Sequence, residues 1–264
     1  MIKQLAFAAR YFKYLIKSRH YNGHGIHSPF LYNFTQEVIF SNKKNPLFKE
    51  IRTIFKLYKK DQSIIQIDDY GAGSQILKNR ERSISKIAKI SSTQKKYGNL
   101  LFRMVEYFNI KYVLELGTSL GIGTMYLASS GKANVWTIEG DQSIYKKAKN
   151  TFEQAGLANI KSINALFDHA LPKLLNEIPG LDLVYFDGHH ELEPTLSYFE
   201  QCLNQITNDS VFVFDDIHWS KEMEQAWGNI KSHPKTKSTI DLFQMGIVFF
   251  RKELNKEHFV IRYF

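Results

Sequence analysis

Val113-Leu114-Glu115-Leu116-Gly117-Thr118-Ser119-Leu120-Gly121-Ile122-Gly123-Thr124 runs from an apolar stretch into an acid and then through three glycines. Val113 to Leu116 read as a buried parallel strand, and Thr124 to Ala128 as the start of the helix that crosses back over the sheet. Between them the glycines allow a sharp turn and let a ligand approach the backbone where a Cβ would intrude. The stretch reads as a nucleotide-type ligand loop at the mouth of an α/β sheet.

Spacing separates two ligand classes. A pyrophosphate seated on a helix N-terminus wants Gly-x-Gly-x-x-Gly, whereas this chain has Glu-x-Gly-x-x-x-Gly-x-Gly. A carboxylate two residues before the first glycine repels a pyrophosphate and suits a cationic, amine-bearing ligand. The next apolar run, Asn134 to Ile138, closes on Glu139, an acid placed at a strand tip to accept hydrogen bonds from both hydroxyls of a ribose. A third run, Lys161 to Leu166, leads into a loop holding Asn164, Leu166, Phe167 and Asp168. The first block resembles motif I of the class I S-adenosylmethionine-dependent methyltransferases. The resemblance implies S-adenosylmethionine as cofactor, with Glu115 near its methionine moiety and Gly117, Thr118, Gly121 and Gly123 facing the nucleoside. It also implies Glu139 on the ribose, with Asn164 and Leu166 at the adenine. Asn164 and Asp168 also suit plain helix capping before Ala170 to Leu175.

From Ser91 onward strands ending near Leu116, Glu139, Ile163, Asp187 and Asp215 alternate with helical patterns, which means a parallel, doubly wound sheet. Thr239 to Leu242 and Gly246 to Phe250 are separated by a short turn and must be antiparallel neighbours, while His258 to Phe264 can add an edge strand. The expected fold is α/β, a Rossmann-like sheet of seven strands, mostly parallel with a C-terminal antiparallel hairpin. Residues 1–90 form an N-terminal helical extension or cover, and residues 91–264 the cofactor-binding domain. In the extension, Ser28-Pro29 predicts a helix start with Ser as cap and Pro in the first turn. Ile64 to Ser74 imitates a strand entering an acidic, glycine-rich turn, but no second acid-tipped strand follows its basic, helical downstream segment. Asp68 to Ser74 therefore reads as a loop, either a connection or a lid over a neighbouring pocket.

Composition narrows the partners. With 44% hydrophobic residues in 264, the chain can fill a full core, and its one cysteine, Cys202, excludes a disulfide framework and a cysteine-built zinc site. No apolar run approaches the roughly 20 residues that span a bilayer, and no secretory signal is legible, so the expected place is the cytoplasm. Residues 1–60 carry 12 Lys or Arg against Glu37 and Glu50, an excess that accounts for the whole net charge of +9. Lys3, Arg10, Lys13 and Lys17 fall near one face of a first helix whose other side carries Leu5, Ala8, Phe12 and Leu15. That apolar side is expected to dock on its own domain or on a second subunit, and the basic side either is solvated or meets anionic lipid or nucleic acid. No aromatic-interleaved nucleic-acid motif accompanies it.

Ligands in open α/β sheets bind beyond the carboxyl ends of the strands. Here the fourth strand ends in Asp187-Gly188-His189-His190 and the fifth in Asp215-Asp216-Ile217-His218-Trp219. Three carboxylates and three imidazoles at strand tips cost desolvation and repulsion unless a metal or a catalytic task uses them, although each could also cap a helix or pair on its own. Over roughly residues 91–252 the chain resembles the catechol and caffeoyl-CoA O-methyltransferases. There, acids at these positions hold a divalent cation that binds two adjacent substrate oxygens. The resemblance implies Asp187, Asp215 and Asp216 as metal ligands, for a cation such as Mg2+, and Trp219 as a wall of the acceptor pocket. It also implies His190 as the base, so that His190, Asp187 and Asp215 are the catalytic candidates; Asp187 is a cofactor-site candidate as well. Two positions depart from that pattern: Asp216 replaces an Asn and His190 replaces a Lys. The first still suits a hard cation, and the second supplies an imidazole, which titrates nearer neutrality than an amine.

The expected function is methyl transfer from S-adenosylmethionine to an oxygen of a small-molecule acceptor. The alternative is a cofactor-binding module without turnover whose basic N-terminal region engages RNA or a membrane surface. Homo-oligomerisation, peripheral membrane contact and the acceptor are left open by the sequence.

Overall fold

In the computed structural model, residues 2–67 and 81–264 are described, so the Asp68 to Ser74 loop lies outside the described residues. In chain order the elements begin with α1 (Ile2–Lys17), α2 (Pro29–Phe34) continued by a π-turn over Thr35–Ile39, α3 (Phe48–Tyr58), β1 (Ile64–Gln66) and β2 (Glu81–Ser83). Then come α4 (Ile84–Ile90), α5 (Lys95–Tyr107), β3 (Tyr112–Leu116), α6 (Ile122–Ala128), β4 (Asn134–Glu139), α7 (Gln142–Gln154), β5 (Ile160–Asn164) and α8 (Phe167–Glu177). The remainder is β6 (Leu181–Phe186), α9 (Leu192–Cys202), β7 (Ile206–Asp215), α10 (Lys221–Ser232), β8 (Ser238–Asp241), β9 (Met245–Phe249) and β10 (Glu257–Val260). These elements gather into two compact units, residues 42–179 and residues 1–41 with 180–264.

The unit of residues 42–179 is built on β3, β4 and β5, paired parallel in that order with Glu115 opposite Thr137 and Glu139 opposite Asn164. Parallel pairing requires crossovers, and α6 and α7 supply them. Asp141 caps α7 by accepting the Ile144 N–H at 2.8 Å, which fixes where the chain leaves β4. Phe48, Ile51 and Tyr58 of α3 pack with Phe102 of α5, Tyr126 of α6 and Phe152 of α7 in one apolar cluster. Gly98 belongs to this packing, because a Cβ there would stand 2.3 Å from the Tyr126 ring. The described start of the segment that imitates a nucleotide strand, Ile64–Gln66, is β1, paired antiparallel with β2 outside the parallel set.

In the other unit β6 and β7 are parallel, β7 and β9 antiparallel, β8 and β9 an antiparallel hairpin, and β10 parallel to β8. The terminal hairpin thus has the expected form, and β10 (Glu257–Val260) supplies the edge strand expected from His258 onward. Ser28 accepts the Leu31 N–H at 3.4 Å with Pro29 in the first turn, as the Ser-Pro pair predicts.

The first helix docks by a different face from the one expected. Phe7, Arg10, Tyr11 and Tyr14 bear on the body of the unit. The Phe7 and Tyr11 rings meet Phe243 edge-on, and Tyr14 donates to the Ile261 carbonyl at 2.6 Å. Leu5, Phe12 and Ile16 are instead 59–65% exposed. Both faces are apolar enough to dock. The aromatic one also satisfies hydrogen bonds, since the Tyr14 oxygen accepts the Tyr263 N–H and Arg262 reaches the Leu15 carbonyl.

Candidate functional site

The glycine loop is tied to the tip of β4 by its own backbone. Gly117 N–H and Thr118 N–H both donate to the Ile138 carbonyl at 3.1 Å, and Ser119 N–H donates to the Glu139 carboxylate at 2.9 Å. The chain reaches this geometry through left-handed residues: Gly117 at φ 110°, Ser119 at 47° and Gly121 at 79°. Only Ser119 bears strain there, and strain at a loop of this kind marks functional positions. Gly121 has a second constraint, since a Cβ would stand 2.3 Å from the Phe152 ring. Its missing side chain therefore serves the seating of α7 as well as the turn.

Glu139 accepts Ser119 N–H with one oxygen and Asp141 N–H at 3.0 Å with the other. Burial pushes its carboxyl up to about 7, against the pull of those N–H donors. Asn164 donates from its side-chain nitrogen to the Glu139 carbonyl at 2.8 Å, so it braces the β4 tip and does not cap α8. The α8 N-cap is Leu166, half-buried and without a side-chain cap; Phe167 is buried, while Asp168 is exposed in the first turn.

Glu115 is placed differently from a ligand-facing acid. It is 1% exposed, and its carboxylate accepts Thr124 Oγ1 at 2.5 Å and Thr137 Oγ1 at 2.6 Å, while Thr118 Oγ1 stands 2.5 Å from Thr137 Oγ1. Burial raises its pKa to about 7, with the two hydroxyls opposing. The structure thus joins Glu115, Thr118, Thr124 and Thr137 in one buried network. Sequence reasoning passed over Thr124 and Thr137, although the strand register that pairs Glu115 with Thr137 carries the signal.

In the other unit the tips of β6 and β7 bring together Asp187, His190, Asp215 and Asp216. His190 Nε2 lies 3.9 Å from an Asp187 oxygen and 4.0 Å from an Asp216 oxygen, ion-pair range. Asp215 is buried with its Oδ1 unpartnered. Its carboxyl is held well above the usual range by burial and then by the Asp216 charge, while hydrogen bonds involving Asp187 and Tyr185 pull the other way. Asp216 is also raised by desolvation, with His190 opposing. His189 at φ 49° and Asp216 at φ 54° are left-handed non-glycine residues in these turns.

Not every expected imidazole is part of this cluster. His218 is bound between Asp241 at 2.8 Å and Glu224 at 3.2 Å and stacks on Phe243. Burial pulls its pKa down, but the two carboxylates outweigh that and raise it. Glu224 also takes Arg10 of α1 at 3.1 Å. Trp219 is 46% exposed and meets the Phe7 ring edge-on, with its carbonyl accepting Arg10 at 3.2 Å.

Three carboxylates are suitable chemistry for a hard cation. Among the described residues, however, no group of three or more His, Cys, Asp or Glu is arranged to hold a metal ion. Of the three carboxylates expected as metal ligands, Asp187 and Asp216 flank the His190 imidazole, and Asp215 is buried behind them in hydrogen-bond contact with Asp187. No described helix is long and apolar enough to cross a membrane.

Residues 114–217 match a family model described as a methyltransferase domain. No curated protein matches the chain. Among solved structures, an O-methyltransferase from Bacillus cereus in complex with S-adenosylhomocysteine is similar at TM-score 0.55 and 16% identity, covering 82% of this chain and 96% of that one. A putative caffeoyl-CoA O-methyltransferase from Staphylococcus aureus is similar at TM-score 0.54 and 15% identity, covering 76% and 99%. A methyltransferase of Podospora anserina bound to S-adenosylhomocysteine is similar at TM-score 0.58 and 10% identity, covering 85% and 97%. At such identities the likeness is one of fold.

Proposed function

We infer that the chain, whose residues 114–217 match a methyltransferase domain model and whose fold is similar to that of O-methyltransferases, is a methyltransferase of that kind. We propose that it transfers the methyl group of S-adenosylmethionine to an oxygen of a small-molecule acceptor. The observation that carries this reading is the Glu139 carboxylate, held at the tip of β4 by the N–H groups of Ser119 and Asp141 beside the left-handed glycine turn. A carboxylate fixed in this way is pre-organised to accept ribose hydroxyls. Glu115, sealed from solvent, would act on the cofactor through the loop conformation it secures.

Bound S-adenosylmethionine supplies a methyl group already activated on a sulfonium, so the protein's share is positioning and proton removal. His190 is the acceptor's base in this reading: its imidazole takes the hydroxyl proton as the oxygen forms its bond to the methyl carbon and the carbon–sulfur bond breaks. Asp187 and Asp216 orient the ring and stabilise the imidazolium that results. No step here requires a cation, and a chelator tests that directly.

Methyl-labelled S-adenosylmethionine incubated with the protein and a small-metabolite extract should yield a labelled, alkali-stable product. Glu139→Ala should weaken S-adenosylhomocysteine binding by about 1.5–3 kcal/mol, the worth of hydrogen bonds to a charged group. His190→Ala should leave that binding intact and reduce turnover about 100-fold or more. Turnover abolished by EDTA and restored by Mg2+ would replace the metal-free route with a cation at the three aspartates. Unchanged binding in Glu139→Ala would remove the ribose assignment.

A further inference from the structure

The apolar stripe of α1 that faces outward is the most conspicuous surface left unused by this chemistry. Leu5, Phe12 and Ile16 fall within about 40° of one another around a helix of 3.6 residues per turn, and each is 59–65% exposed. Ala8 and Ala9 continue the stripe, also exposed. The helix's opposite face is already committed to the unit through Phe7, Arg10, Tyr11 and Tyr14, so the stripe cannot turn inward without breaking those contacts. Lys13 and Lys17 are exposed along one flank, Arg19 is exposed just past the end, and α1 contains no acid at all.

We propose that this face is a docking surface for an anionic lipid bilayer, with α1 lying in the plane of the interface. Leu5, Phe12 and Ile16 would enter the headgroup boundary while Lys13, Lys17 and Arg19 pair with lipid phosphates. Charge decides between occupants. A second copy of the chain packed stripe to stripe would set two acid-free basic helices together, like charge against like, whereas an anionic surface neutralises both. Nucleic acid would use the cations but leave three large apolar side chains in water. A bilayer uses both halves of the pattern.

Docking would also have a direct line to the loop at the end of β7. The inner face of α1 holds that loop through Arg10 on Glu224 and the Trp219 carbonyl, and through Phe7 on the Trp219 ring. A lipid surface on the outer face would thus steady the segment that follows Asp215 and Asp216.

The test is co-sedimentation of the full chain with vesicles of phosphatidylcholine alone and of phosphatidylcholine with phosphatidylglycerol. Binding should be about tenfold or more tighter to the anionic vesicles and should fall as salt is raised to about 0.5 M. Phe12→Ser with Ile16→Ser should abolish it, with an unchanged circular dichroism melt showing that these exposed substitutions do not unfold the protein. Lys13→Glu with Lys17→Glu should lose the preference for anionic lipid. No binding to either vesicle, or binding indifferent to the stripe substitutions, would overturn the proposal. So would a lipid-free dimer in sedimentation velocity that Phe12→Ser with Ile16→Ser converts to monomer, or salt-sensitive RNA binding without lipid binding.

Discussion

Burying Glu115 between two threonine hydroxyls has a cost that depends on pH. Its folded pKa of about 7 exceeds the ordinary value of 4.5, so the native state holds a proton that the unfolded chain has released. Stability from this residue is therefore fully present below about pH 4.5 and declines as pH rises towards 7, by an amount of order 3 kcal/mol. Glu139, raised to about 7 as well, tilts the curve the same way. Glu115→Gln keeps an oxygen for Thr124 and Thr137 and never ionises. Its melting temperature should exceed that of the parent at pH 8, match it more closely at pH 5, and show a shallower decline between. Parallel curves for parent and variant would show that Glu115 is ionised in the native state.

At the level of elements, the loop between β3 and α6 and the helix α7 are interlocked by one missing methyl group. Gly121→Ala sets a Cβ 2.3 Å from the Phe152 ring at a position with φ 79°, adding steric overlap to backbone strain. A loss of about 2–4 kcal/mol is expected in denaturant unfolding. Phe152→Ala made together with it should recover part of that loss relative to the sum of the two single changes, and strict additivity would count against the interlock. This loop was legible in the sequence because its constraint is local: glycines at fixed offsets after an apolar run. The docking face of α1 was not, because Leu5, Phe12 and Ile16 form as good an apolar stripe as Phe7, Tyr11 and Tyr14. Only the distant partners Phe243, Glu224 and Ile261 decide between the two. The same reason hid Thr124 and Thr137 from view and gave His218 to the rim, when Asp241, remote in sequence, and Glu224, in the first turn of α10, hold it elsewhere. The cluster of Asp187, His190 and Asp216 was legible as strand tips, since two apolar runs ending in acids announce where the sheet ends.

At the scale of the whole molecule, the N-terminus and the C-terminus complete one unit. Arg10 joins Glu224, which joins His218, which joins Asp241, a chain of charges from the first helix to the β8–β9 turn. Tyr14 and Arg262 add the link to the last residues, through Ile261, Tyr263 and the Leu15 carbonyl. Such a chain stabilises only when every member is present, because a buried polar group stripped of its partner costs about 1–3 kcal/mol. Deleting residues 1–19 removes Arg10 and Tyr14 together. It leaves the Ile261 carbonyl without its donor and strips Phe243 of the three rings of α1 that pack on it. The truncated protein should melt about 6–12 °C lower, taking roughly 3 kcal/mol at 2–4 °C each for a chain of this size. Methyl transfer should fall with it, because the loop carrying Ile217 to Trp219 loses the helix that holds it, while S-adenosylhomocysteine binding, proposed above to rest on Glu139, should persist. Calorimetric melting read beside cofactor titration separates the two effects. A truncation that melts with the parent and turns over at the parental rate would show that α1 is an appendage with no part in either stability or chemistry.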